Sequence, residues 1–338
     1  MNMHAAGVAK PRLLVTNRLH DEVRDALAMR FDVAMNAADE PWPAEELRAR
    51  AARCDAMMAF MTDHVDEAFL AACPALRMIA CALKGDDNID AAACARRGVK
   101  VSIVPDLLTA PTAELAIGLM IALGRRMLEG DALVRAGAFR GWRPKLYGMG
   151  LDGSRVGLLG MGAVGRALAH RLRAFRCDLV YDDPRPLAPH EEDALGLRRM
   201  RREALLAQSD YVVLASPLTP ATLRMIDAHA LDRMAPGALL VNPARGSLVD
   251  EAAVADALES GRLGGYAADV FAFEDHARAD RPDAVDPRLR AHPRTVFTPH
   301  IGSAVAQARL AIEHAAARSL LDFFADAAEG RAAMEARA

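Results

Sequence analysis

The sequence predicts an α/β protein of two Rossmann-like domains, each a doubly wound parallel sheet, with a cleft between them. Three observations carry this. Short apolar runs alternate with stretches of helical spacing along most of the chain, the pattern of parallel strands joined by crossover helices. One such run, residues 156–159, is followed by Gly160, Gly162 and Gly165 at G-x-G-x-x-G spacing and then by a helical stretch. The chain has 338 residues, 52% of them hydrophobic, which is enough for two sizeable cores.

In chain order, residues 12–17 read as a strand, 21–29 as a helix and 31–35 as a strand. Residues 43–53 open with proline and acids, a helix N-terminus. Residues 55–60, 76–83 and 99–103 are three further strands. Ligands of such sheets bind beyond the carboxyl ends of the strands, which is where Met61, Lys84, Gly85 and the turn ending at Leu108 fall. The chain has only four lysines (10, 84, 100 and 145). Lys84 is therefore a candidate anion ligand, weighed against a solvated surface lysine. Residues 109–137 read as one long helix, apolar on more than one face. It is expected to be a buried domain linker or part of an oligomer interface. The segment 139–147 carries Trp142 and Tyr147, which either wall a pocket or simply pack.

The glycine stretch begins the second domain. In this motif the first glycine makes the tight turn, the second lets the backbone approach a pyrophosphate and the third lets helix and strand pack closely. The helix expected over 163–174 aims its N–H groups at the phosphates. Asp183 lies eighteen residues past Gly165, where a ribose-binding acid belongs. An acid there favours NAD over NADP. Arg185 softens that preference, and Asp182 is the rival for the ribose. Strands follow at 210–217, 238–247, 264–271 and 294–303, then a helix to about residue 327. The Arg-rich stretch 197–203 reads as a solvated helix start. The domains are expected to be 1–107 plus 304–338 for substrate and 108–303 for NAD, with the last helix returning to the first domain.

Composition narrows the function classes. A net charge of −3 points to neither nucleic acid nor anionic membrane. No apolar run is expected to span a membrane, and the first seven residues lack the pattern of a secretory signal. The five cysteines are scattered, without metal spacing, as in a reducing cytoplasm. No metal is expected.

Arg245, Glu274 and His300 each lie just past a strand of the second domain, so the topology collects them at one sheet edge. Arg245 is a fixed cationic fork for an anionic substrate. His300 suits general acid–base work. Glu274 can hold the other imidazole nitrogen, fixing the tautomer and stabilising the imidazolium. His276 and His292 are alternatives for the base.

Gly160-Met-Gly-Ala-Val-Gly165, Asn242-Pro-Ala-Arg245-Gly, the acid at 274 and Thr298-Pro-His300-Ile-Gly-Ser303 together resemble the D-2-hydroxyacid dehydrogenase family along nearly the whole chain. The resemblance implies NAD as cofactor, an Arg245/Glu274/His300 triad and a homodimer. It further implies that the cofactor is met by Thr112, Gly160, Gly162, Ala163, Val164, Gly165, Asp183, Pro184, Pro217, Pro243, Ala244 and Asp269. Within the family, the chain is more similar to the phosphite-oxidising members, the phosphonate dehydrogenases. Ala56-Met-Met-Ala-Phe-Met61, Cys81-Ala-Leu-Lys84-Gly85, Val104-Pro-Asp-Leu-Leu-Thr109 and Pro111-Thr-Ala-Glu-Leu-Ala-Ile-Gly118 carry that likeness. It implies that Lys84 holds the substrate, assisted by Gly85. Met61, Leu108, Trp142, Tyr147, Ser303 and Arg309 match positions in or behind the pocket.

The expected reaction is thus NAD-dependent oxidation of phosphite to phosphate, with water as nucleophile. Reduction of glyoxylate or hydroxypyruvate is the alternative, and a non-catalytic dinucleotide sensor a more distant one. The departures are Asp86 and His276 in place of aromatic residues, Asp183-Pro184 at the ribose, and a short C-terminal tail.

Overall fold

A computed structural model of the protein describes residues 9–85 and 87–335. Asp86, the N-terminal eight residues and the end of the tail lie outside the described residues. The chain forms two compact units, one running up to Leu108 and resuming at Ala306, the other Thr109–Val305.

The first unit is a five-stranded parallel sheet of β1 (Arg12–Val15), β2 (Asp32–Met35), β3 (Ala56–Ala59), β4 (Met78–Cys81) and β5 (Lys100–Ile103), ordered β2-β1-β3-β4-β5. Leu13 lies opposite Val33 on one side and Ala56 on the other. β3 and β4 are buried throughout, which is why they read as unbroken apolar runs. The period of two still sorts their side chains. Leu13, Val15, Met58 and Ala80 face one core, completed by Ile312, Ala316, Leu320 and Phe324 of the helix Ala306–Glu335. Leu14, Met57, Ile79 and Cys81 face the other, under Leu47, Phe69, Leu70 and Cys94 of the intervening helices. Burial pushes the thiols of Cys73 and Cys94 up to about 11, so they behave as small hydrophobes.

The second unit is a seven-stranded parallel sheet. Its strands are β6 (Arg155–Leu159), β7 (Asp178–Asp182), β8 (Leu197–Arg199), β9 (Tyr211–Leu214), β10 (Leu239–Asn242), β11 (Gly265–Ala268) and β12 (Thr295–Phe297), ordered β12-β11-β10-β9-β6-β7-β8. The chain leaves β6 for β7 on one side and later reaches β9 on the other, so the crevice between β6 and β9 is the topological switch point.

Three expectations need correction. The stretch 109–137 is two helices, Thr109–Gly124 and Met127–Arg135. The first stops because Met149 N–H donates to the Gly124 carbonyl (2.9 Å), the acceptor a continuing helix would need. Arg126 then turns the chain with a φ of 53°. Residues 197–199 are the edge strand β8, and the helix starts only at Arg202. The β-pairing with Tyr181 overrides an Arg-rich sequence that pattern alone reads as solvated. Finally, Asp106–Gly124 is long and apolar enough by composition to cross a bilayer. In the fold, Ala113, Ala116, Leu119, Met120 and Leu123 belong to the core of the second unit, so its apolarity is that of a core helix covered on several sides.

Candidate active site

At the switch point of the second unit, Gly160 ends β6 with a φ of +105°, which a side-chain-bearing residue adopts only with strain. A Cβ there would also lie 2.6 Å from the Ala215 carbonyl carbon. Gly165 packs against the Gly160 carbonyl so closely that no Cβ fits between helix and turn. Gly162 differs. A Cβ there would meet nothing within 4 Å, so the space beside it is open. The helix Ala163–Leu172 begins at this point without a side-chain cap, leaving the N–H groups of Ala163, Val164 and Gly165 for an anion. Asp183 accepts from Met161 N–H (2.7 Å) and Arg185 N–H (2.8 Å), which seats its carboxylate against the glycine turn. Asp182, the rival, turns to Arg202 Nε at 3.4 Å. An open, N–H-lined recess beside a fixed carboxylate fits the pyrophosphate and ribose of a dinucleotide. Pro184 follows Asp183 directly.

The neighbouring strand ends supply the rest. Pro217 lies in the loop after β9, its carbonyl taken by Thr222 Oγ1 at 2.7 Å. After β10, the buried Asn242 amide accepts from Ala244 N–H (3.1 Å) and donates to the Arg245 carbonyl (2.8 Å), coiling Pro243, Ala244 and Arg245 around itself. Arg245 Nη1 donates to the Ala244 carbonyl at 2.8 Å. Gly246 then touches the Phe271–Ala272 backbone so tightly that only glycine fits. This contact brings the loops carrying Arg245 and Glu274 together.

Glu274 is held at both oxygens: Oε1 accepts from Phe271 N–H (2.7 Å) and Oε2 meets His300 Nδ1 at 2.6 Å. His300 has a left-handed backbone, φ 54°. Asp269 maintains it. Its carbonyl accepts from His300 N–H (2.8 Å). Its buried carboxylate accepts from Thr298 Oγ1 (2.6 Å), Ile301 N–H and Gly302 N–H (both 2.8 Å). Burial raises the Asp269 carboxyl, opposed by those hydrogen bonds. Thr112 lies against the same loop, since a Cβ on Gly302 would be 3.3 Å from its Oγ1 and 3.1 Å from Asp269 Oδ2. Ser303 is buried just beyond. The Glu274–His300 pair leaves Nε2 as the ring nitrogen for proton transfer. His292 precedes β12 and accepts from Arg294 N–H, at the opposite end of the strand. His276 follows Glu274 by two residues, but the Glu274 carboxylate is on His300.

In the first unit, Met61, Lys84 and Leu108 follow β3, β4 and β5 at the carboxyl ends, with Gly85 beside Lys84. Lys84 forms an ion pair with Asp106 Oδ1, a partner the sequence reading missed. The Met61 carbonyl accepts from Asn88 Nδ2 at 3.1 Å, and Leu108 packs on the core. The Arg309 guanidinium lies 5.7 Å from the centre of the Phe60 ring, and burial draws its pKa down. Trp142 and Tyr147 are a correction. They are 77% and 74% exposed in a segment without regular structure, so neither packs into the core of this chain, which removes the packing alternative. Also missed were Glu251, which accepts from Ala272 N–H (2.7 Å), and Asp275, which accepts from Ser247 N–H (2.8 Å). Both brace the turn that presents Glu274. Nothing in hydrophobic periodicity marks an acid buried at a helix start, as Glu251 is, or in a loop, as Asp275 is.

A sequence profile described as "D-isomer specific 2-hydroxyacid dehydrogenase, NAD binding domain" matches residues 117–302. The chain belongs to that family. Its second unit is therefore an NAD-binding domain, and its cofactor is NAD(H). The glyoxylate reductase of Pyrococcus furiosus is 34% identical over 319 residues, covering 93% of this chain and 92% of that one. Among solved structures, a putative D-isomer specific 2-hydroxyacid dehydrogenase from Polaromonas sp. JS6 66 superposes with a TM-score of 0.83 at 31% identity, covering 94% and 97% of the two chains. A glyoxylate reductase from Paecilomyes thermophila gives a TM-score of 0.80 at 28% identity, covering 93% and 95%. The dehydrogenase is thus an oxidoreductase with two Rossmann-like domains.

Proposed function

We propose that this dehydrogenase oxidises phosphite to phosphate. The observation that carries the reading is Lys84 at the carboxyl end of β4, in the stretch Cys81-Ala-Leu-Lys84-Gly85, paired with the exposed carboxylate of Asp106. A cation that already holds a carboxylate oxygen is a ready site for an oxyanion. Phosphite is a small dianion with no apolar part, so its binding rests on charge and hydrogen bonds. Lys84 and Arg245 supply the cations, with the Gly85 N–H assisting. His300 Nε2 takes a proton from water, and the Glu274 carboxylate on Nδ1 stabilises the imidazolium. The water oxygen bonds to phosphorus as the P–H bond breaks with its electron pair. Bound NAD supplies the acceptor for that hydride. The unit that carries Lys84 is then the substrate domain.

The relatives' names favour a second reading, reduction of glyoxylate or hydroxypyruvate, in which Arg245 holds the carboxylate and protonated His300 donates to the carbonyl. Identity of 34% fixes family and reaction type better than substrate, which a few pocket side chains decide. The test is NADH formation with phosphite beside NADH consumption with glyoxylate and hydroxypyruvate. Phosphite turnover that loses about tenfold or more in KM in Lys84→Ala, with NAD affinity unchanged, supports the first reading. Turnover of the keto acids alone, indifferent to Lys84, overturns it in favour of the second. NADH binding without turnover of any of these substrates would overturn both and leave a sensor.

The same proposal includes a homodimer. Met127, Leu128, Val134, Phe139, Trp142 and Tyr147 are all more than half exposed or nearly so. Their clustering in the segment 127–147 is what a self-association surface requires. Sedimentation of the wild type against Trp142→Ser checks it, with the variant expected to dissociate at higher concentration.

A further inference from the structure

The catalytic turn has a second, unassigned cavity behind it. A space of about 420 Å³ opens between the loops that follow β9, β10 and β11, and its walls include Arg224, Ser247, Ala272, Arg278, Asp280 and Arg281. Three arginines converge on it. The Arg278 side chain is only 16% exposed, yet it ends on Asp280, 64% exposed, with both carboxylate oxygens 2.6 Å from one Nη2. Arg224 approaches the same carboxylate at 3.7 Å. Arg224 also has a left-handed backbone, φ 48°, kept by donation of its N–H to the Ser247 carbonyl at 2.8 Å. The other acids of the wall are occupied. Asp286 is matched by Arg288 at 2.9 Å, Asp250 caps the helix Glu251–Glu259, and Glu251 is buried on Ala272 N–H with its carboxyl pushed up by that burial. Asp280 is therefore the exchangeable counter-anion of a largely buried guanidinium.

We propose that this cavity is an anion site that takes a small multivalent oxyanion, with phosphate the probe of choice, in the place Asp280 fills. Arg278 and Arg224 hold it as charge-assisted donors. Its occupation is felt at Glu274 through short covalent and hydrogen-bonded paths. Arg281 Nη1 donates to the carbonyl of Phe273, the residue before Glu274. Ala272 N–H is on Glu251 (2.7 Å), and Ser247 N–H is on Asp275 (2.8 Å), the residue after Glu274. An anion that draws Arg224 and Arg281 inward shifts both flanks of the turn that holds the His300 partner, the physical requirement for coupling between two sites. The site stands whichever substrate the dehydrogenase uses.

The experiment is a phosphate titration of the full-length protein saturated with NADH, following amide hydrogen exchange of residues 272–275. Phosphate is expected to slow exchange there. Asp280→Asn, which removes the competing carboxylate, should lower the apparent Kd at least threefold. Arg278→Met should raise it at least tenfold. If Arg278→Met loses its fold, the opposite-signed Asp280→Asn shift still carries the test. Identical titrations in wild type and Asp280→Asn overturn the site and place any phosphate effect at Arg245. Absence of any change in exchange with phosphate overturns it as well.

Discussion

The two units share an architecture and treat its crevice in opposite ways. In the second, the switch point between β6 and β9 is kept empty by glycine, and the space beside Gly162 is bounded by free helix N–H groups. In the first, the switch point between β1 and β3 is filled by the chain itself. Asp63 is 3% exposed there, accepting from Thr16 Oγ1 beyond β1 and from Phe60 N–H beyond β3 at 2.7 Å. Burial drives its carboxyl from 3.8 up to about 6. Topology supplies the recess in both sheets. A glycine or a carboxyl at its floor decides whether it receives a ligand or serves as a clamp.

The contrast can be broken or sharpened by substitution. The largest effect is expected from His300→Asn, which should lower kcat/KM by about 10²–10⁴-fold while NADH affinity, read by fluorescence, stays within about twofold. A loss below tenfold would remove the proton-transfer role. Gly162→Val places a side chain where the chain offers no obstacle, so the melting temperature should hold while NADH affinity falls by about 100-fold, roughly 2.7 kcal/mol. An unchanged Kd would mean the recess is not the pyrophosphate cradle. Glu274→Gln keeps the shape and drops the charge. It should cost about 10–100-fold in kcat with little change in cofactor binding, and an undiminished kcat would reduce Glu274 to packing.

The smallest effect belongs to the filled crevice. A carboxyl with a raised folded pKa binds more protons folded than unfolded. Its contribution is therefore fully present below about pH 4 and is lost as pH rises through about 6. Asp63→Asn does not titrate. Relative to wild type it should gain about 1 kcal/mol between pH 5 and pH 6, measured as the difference in denaturant midpoints. A pH-independent difference would sink the clamp as described.

Much of this was legible in the sequence. The strands are short apolar runs that pattern alone finds, and the glycine spacing with Asp183 points to the turn where an uncapped helix start and a carboxylate meet. Arg245, Glu274 and His300 stand out because each follows a strand, so parallel topology brings them to one edge. What was not legible depends on contacts between distant residues. The stop at Gly124 comes from Met149, β8 exists because β7 offers it a partner, and Asp106 meets Lys84 across 22 positions. The carboxyls of Asp63 and Asp275 are invisible to periodicity, since an acid in a loop looks solvated until the fold closes over it.

The helix Ala306–Glu335 has a consequence for how the chain is made. It delivers Ile312, Ala316, Leu320 and Phe324 to a core whose strands were synthesised roughly two to three hundred residues earlier. A nascent chain thus emerges from the ribosome with one face of its first sheet only partly covered, by Val23 and Leu27 of the helix Asp21–Ala28. At about 5–20 residues per second, the rest of that face stays uncovered for roughly ten to forty seconds after β5 is made, while Thr109–Val305, an uninterrupted segment, has all it needs to fold first. The first unit to be translated is the last to be finished.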